Sequence, residues 1–176
     1  MKLLNFMAVM ILVSINIYSQ NINYTKLPSQ LQLFPRNSQD SALVQISGTV
    51  IVPGYDSIIV EIDTNNVLWS RLSQFLDYSG GDPAFSFSPK IYADTVEFSF
   101  EVFLKQGVIQ VSDTLVNRVV CGDVYFINGQ SNATNDGGDF SIPWLRTFGT
   151  SKNSADATDD TNWYEANRGR NNAGAI

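Results

Sequence analysis

"VEFSFEVFLKQGVIQV", residues Val96–Val111, decides the fold class. Val96, Phe98, Phe100, Val102 and Leu104 recur at every second position, interleaved with Glu97, Ser99, Glu101 and Lys105. A period of two is the signature of a strand with one face in a core and the other toward water. Gln106-Gly107 supplies a turn, after which Val108-Ile109-Gln110-Val111 starts a second extended run. One strand and its return predict an antiparallel pair.

The same pattern extends toward the N-terminus. Val44, Ile46, Gly48, Val50 and Val52 share one face, opposite Gln45, Ser47 and Thr49. Pro53-Gly54-Tyr55-Asp56 is a turn signal. Ile58, Val60 and Ile62 resume the alternation, which ends at Asp63-Thr64-Asn65-Asn66. A break at Tyr78-Ser79-Gly80-Gly81-Asp82-Pro83 precedes the alternating Phe85 and Phe87. Trp69, Leu72, Phe75 and Leu76 have a 3–4 spacing that leaves room for a short helix, with core packing as their default role. Many short strands with turn punctuation predict an antiparallel β-sandwich, Ig-like, over residues 20–116.

Composition agrees with a packed fold. Of the 176 residues, 44% are hydrophobic and 12% aromatic, which is ample for a core. The net charge of −6 argues against nucleic acid or an anionic membrane as the main partner, because both need clustered Lys and Arg. The single cysteine, Cys121, excludes an intramolecular disulfide and a Cys-rich zinc site, and its apolar surroundings predict a buried small hydrophobe. With no histidine in the chain, any metal would need oxygen ligands. The clusters Asp136/Asp139 and Asp156/Asp159/Asp160 match no calcium-loop spacing, so they are expected to be solvated loops, with no metal and no cofactor.

Lys2 followed by a mostly apolar stretch from Leu3 to Ile17 has the shape of a secretory signal peptide, with cleavage after Ser19. The apolar centre, Phe6–Val13, is far shorter than the roughly 20 residues that span a bilayer. A secreted, periplasmic or extracellular protein, with no membrane contact after cleavage, is therefore expected.

The texture changes after Ser112-Asp113-Thr114. Val119 to Ile127 is nearly continuous in apolar residues, as expected of a strand buried on both faces at the start of a parallel α/β sheet. It ends in Asn128-Gly129-Gln130-Ser131-Asn132. A serine at the carboxyl edge of such a strand lies where ligand sites form in open α/β sheets, and nearby backbone N–H groups can stabilise a developing oxyanion. A plain strand-to-loop turn rich in turn-forming residues explains the same spacing. Gly129-Gln130-Ser131-Asn132-Ala133 also comes within one residue of the Gly-x-Ser-x-Gly elbow.

"CGDVYFINGQSNA", residues 121–133, resembles the first signature block of the SGNH hydrolase superfamily, specifically its carbohydrate-esterase branch, which is similar to sialate O-acetylesterases and acetylxylan esterases. The close match covers about a dozen residues. The resemblance implies that 117–176 begins a flavodoxin-like α/β hydrolase domain. It also implies that Ser131 is the nucleophile and that its own N–H is one oxyanion donor. The superfamily's glycine donor finds a weak candidate in Gly174; its asparagine donor and its Asp-x-x-His pair match nothing here. Gln130 and Asn132 are candidates for substrate contact. Trp163 and Tyr164 could stack on sugar rings, with core packing as the rival role. The implied partner is an acetylated carbohydrate or polysaccharide.

In a Ser-His-Asp system the histidine takes the serine proton, and general-base help of this kind contributes typically about 10²–10⁴-fold. Without a base, Ser131 is an ordinary alcohol. The chain is accordingly expected to be the N-terminal part of a longer esterase, truncated within its hydrolase domain and inactive as it stands. The alternative is a carbohydrate-binding or adhesion module in which the sandwich is the functional part.

Overall fold

The computed structural model describes residues 21–125, 141–149 and 161–167. They form twelve strands, with no helix among the described residues: β1 Ile22–Lys26, β2 Leu33–Pro35, β3 Ser41–Leu43, β4 Ile46–Val50, β5 Ser57–Thr64, β6 Val67–Phe75, β7 Ala84–Phe87, β8 Lys90–Tyr92, β9 Phe98–Gln106, β10 Ile109–Gly122, β11 Ser141–Phe148 and β12 Trp163–Asn167. A five-stranded sheet in the order β2-β10-β9-β5-β6 faces a three-stranded sheet in the order β1-β4-β7. The β3–β8 pair prolongs the second sheet. Its register, Leu43 opposite Lys90, continues that of β4–β7, and Val44 N–H donates to Pro89 O at 2.9 Å between them.

Alternation builds the core. Phe98, Phe100, Val102 and Leu104 on β9 point inward with Ile58, Val60 and Ile62 on β5, and meet Ile22, Ile46, Val50, Phe85 and Phe87 from the opposing sheet. β9 and β10 pair antiparallel around the Gln106-Gly107 turn, as the alternation predicted. Gly48 has a strict reason to be glycine. A Cβ there would lie 2.4 Å from Asn23 O, on the neighbouring β1.

Two sequence expectations change. Trp69–Leu76 contains no helix: Val67–Phe75 is a strand paired along its length with β5. Cross-strand pairing overrides the helical spacing, and it turns Leu72 toward the core while Phe75 projects outward at 87% exposure. Val119–Gly122 is also not the opening of an α/β sheet. It is the end of β10, paired antiparallel with β9 at Val119 and parallel with β2 over Val120–Gly122. The two-faced apolar pattern is real, since Val119, Val120 and Cys121 are all buried, but it belongs to a sandwich strand. β10 therefore runs through position 116, the expected end of the sandwich. Asp123–Tyr125 then leave the sheet as exposed coil.

Candidate functional site

The stretch that carries Ser131 departs from the sandwich at Gly122, and that exit is tied down. Gly122 O accepts from Arg36 N–H at 2.9 Å, extending the parallel β2–β10 pairing. The Arg36 guanidinium grips Asp123 with two bonds, Nε to Oδ1 at 2.6 Å and Nη2 to Oδ2 at 3.0 Å, and also pairs with Asp40. This planar fork matches a carboxylate geometrically. Asp123, the second residue of the Gly-Asp that opens the motif, thus fixes where the chain leaves β10. Beside it, burial pushes the Cys121 thiol up from its ordinary range, which fits an inert apolar residue.

Gln130, Ser131, Asn132 and Gly174 lie outside the described residues, as do both Asp clusters and residues 1–19. Trp163 and Tyr164 are described, as neighbours on β12. Successive strand residues face opposite sides, so the two rings do not form one platform. Trp163 pairs with Phe148 across the hairpin, ring centroids 4.9 Å apart, while Tyr164 lies opposite Thr147. Trp144, on β11, is exposed.

The described residues reveal a charged cluster that the sequence reading missed. Arg146, on β11, has a fully buried side chain. Its Nε donates to Leu31 O at 3.1 Å; Nη2 donates to Arg118 O at 2.9 Å and to Glu97 Oε1 at 2.6 Å; Nη1 donates to Leu145 O at 3.1 Å and to Pro143 O. All five guanidinium donations end on the chain's own oxygens. Burial lowers the Arg146 pKa and the Glu97 carboxylate opposes that shift, but an arginine stays charged throughout. Glu97 also accepts from Arg118 Nε on both oxygens, at 3.1 and 3.2 Å, and Arg118 pairs with Glu165 on β12. The pairing with Glu97, more than that with Glu165, raises the Arg118 pKa.

Backbone geometry prepares this cluster. Leu31 and Arg118 have φ of 64° and 63°, a region that costs a non-glycine residue roughly 1–2 kcal/mol. Arg118 sits in a bulge where β10 slips register between Val116 and Val119, and the bulge turns its carbonyl toward Arg146. Both left-handed residues therefore present a carbonyl to one guanidinium. The signal in the sequence was an arginine in the middle of an apolar island, Ile142–Phe148. The cluster binds the β11–β12 hairpin to the sandwich. All five Arg146 donors are used within the protein, so the cluster holds structure.

Among the described residues, no group of three or more Asp, Glu, Cys or His side chains could hold a metal ion, and no helix is long and apolar enough to cross a membrane. Comparison with protein-family models and with curated proteins finds no match to this chain.

Proposed function

We propose that this chain is the N-terminal part of a secreted carbohydrate esterase, whose Ser131 removes acetyl or another short acyl group from a sugar hydroxyl. The observation that carries the reading is the Gly-Gln-Ser-Asn sequence, whose serine lies nine residues beyond the anchored end of β10, in the block that resembles the SGNH signature. The mechanism is nucleophilic. Ser131 Oγ attacks the ester carbonyl, its proton passes to a base, the sugar alcohol leaves, and water releases the acyl group in a second cycle. In the SGNH reading that base is a histidine, which the 176 residues do not hold. The sandwich is the scaffold from which the hydrolase part extends.

The test is p-nitrophenyl acetate hydrolysis. Residues 20–176 alone should stay at the uncatalysed background. The protein carrying a downstream Asp-x-x-His should hydrolyse the ester with a burst of nitrophenol and an acyl adduct on Ser131, and Ser131→Ala should remove both. Equal rates with and without the hydroxyl would take Ser131 out of the mechanism.

One observation favours the second reading, a non-catalytic carbohydrate-binding or adhesion module. Cys121-Gly122, which opens the block, belongs to β10 of the sandwich itself. On that reading, the extended protein shows no hydrolysis that depends on Ser131.

A further inference from the structure

At the end of the five-stranded sheet opposite the Arg146 cluster, an open cleft of about 680 Å³ lies between the turn before β5, the end of β6 and the β9–β10 turn. That volume falls within the ~300–1,000 Å³ typical of small-molecule sites. Tyr55, Phe75 and Tyr78 give it three aromatic rings, and Asp56, Ser57 and Lys105 give it polar groups.

The cleft is pre-formed. Asp56 N–H donates to Lys105 O at 2.7 Å, and Leu76 N–H donates to Asp56 O at 3.0 Å, tying the three segments together. Gly107 N–H donates to Asp56 Oδ2, and Tyr78 Oη donates to Val52 O at 3.3 Å. Among the described residues, no hydrogen bond reaches the other carboxylate oxygen of Asp56. Lys105 makes no ion pair among the described residues.

The chemistry of the lining selects a ligand class. One carboxylate and one ammonium give no net charge, so neither a polyanion nor a polycation is favoured. The exposed Phe75 ring favours an apolar surface, while Asp56 and Lys105 need hydroxyls to accept from and donate to. A pyranose ring satisfies both demands, with one C–H face for a ring and a rim of hydroxyls for the charges. Phe75, 87% exposed, is a large apolar ring with nothing on it among the described residues.

We infer that this cleft is a non-catalytic binding site for a neutral oligosaccharide, with Phe75 as the stacking platform and Asp56 and Lys105 as hydroxyl partners. It goes beyond the esterase reading and needs no chemistry at Ser131. On a chain that acts on polysaccharide, it would hold the polymer at a distance from the reacting ester.

The experiment is calorimetric titration of residues 20–176 carrying Ser131→Ala with xylohexaose, cellohexaose and mannohexaose. At least one should bind with Kd of roughly 10 μM to 1 mM, a modest affinity as expected for an open cleft. Phe75→Ala should weaken it about tenfold or more, and Lys105→Gln about threefold, both with unchanged thermal unfolding because these side chains pack against little. Trp144→Ala, on β11, should leave the affinity unchanged. The proposal is overturned if none of the three probes binds, or if Phe75→Ala leaves Kd unaltered. It is equally overturned if Phe75→Ala converts a dimer to a monomer in sedimentation, which would make the patch a contact between copies. The titration uses the Ser131→Ala chain, so the absence of esterase activity would not affect it, and its failure would not affect the hydrolysis assay.

Discussion

Arg146→Ala should release the β11–β12 hairpin from the sandwich while leaving the sandwich folded. The side chain makes five donations, but only three cross from the hairpin to the sandwich: those to Leu31 O, Arg118 O and Glu97 Oε1. The bonds to Pro143 O and Leu145 O stay within β11. A bond to a charged group contributes about 1.5–3 kcal/mol, such bonds are not additive, and removing one partner of a buried pair costs about 3–5 kcal/mol. Glu97 retains Arg118 on both oxygens, so its charge is not stranded, and the low end of that range, about 3 kcal/mol, is the expected loss. At about 1.4 kcal/mol per tenfold, the docked population should fall by somewhat more than 10²-fold. Native-state hydrogen exchange reads this directly. Amides of β11 and β12, and that of Gly149 just beyond β11, which donates to Asn162 O, should lose protection by about that factor, whereas β5 and β9 keep theirs. Arg146→Lys should fall between, because one ammonium cannot reach all three acceptors. Unchanged hairpin protection in Arg146→Ala would refute the reasoning, and uniform loss across β5 and β9 would show that the hairpin is not a separable unit.

Three further outcomes follow from individual side chains. Gly48→Ala should cost about 1–3 kcal/mol in urea unfolding, because its methyl would sit 2.4 Å from the Asn23 carbonyl oxygen and β1 must move; a loss under about 0.5 kcal/mol would mean that β1 yields freely. Burial, more than its bond to Asp113 at 2.8 Å, raises the Tyr24 pKa above the ordinary phenol value. The neutral phenol is thus favoured in the native state, so this stabilisation is complete below about pH 10 and declines as pH rises beyond it. Urea midpoints measured from pH 8 to 11 should fall less steeply in Tyr24→Phe, and parallel profiles would exclude Tyr24 as the cause. Cys121, with its thiol pushed up by burial, should react with Ellman's reagent only on unfolding; stoichiometric reaction of the native protein within minutes would contradict its burial.

The sandwich was legible because period two is a property of the strand itself. Phe98 to Leu104 and Ile58 to Ile62 announce their faces before any partner is known. What stayed hidden depends on the partner. The spacing of Trp69, Leu72 and Phe75 fits a helix until β5 claims the segment, and the outward Phe75 then becomes part of a cleft that no linear pattern contains. Val119–Cys121 shows how one signal admits two folds. Burial on both faces reads as the centre of a parallel sheet, yet a sandwich strand that is parallel to β2 on one side and antiparallel to β9 on the other produces the same residues.

Arg146 was illegible for a further reason: its acceptors are backbone carbonyls, and carbonyls leave no trace in residue identity. Leu31 and Arg118 present theirs only because both adopt left-handed backbone, a conformation that nothing in a leucine or an arginine advertises. The same limit bears on Ser131. An oxyanion site is made of amide hydrogens, so the sequence can nominate the hydroxyl through the company of Gly129, Gln130 and Asn132 but not the donors around it. The sandwich contributes one fixed boundary to that problem. Arg36 holds Asp123 with two bonds at 2.6 and 3.0 Å, and severing them by Arg36→Ala should loosen the start of the Ser131 stretch without unpairing β9 from β10. If the esterase reading holds, that variant in the extended protein should lower kcat for p-nitrophenyl acetate while the sandwich's unfolding free energy stays within about 1 kcal/mol of the parent's, since the pair is exposed. An unchanged kcat would mean that the sandwich carries the hydrolase part without setting its geometry.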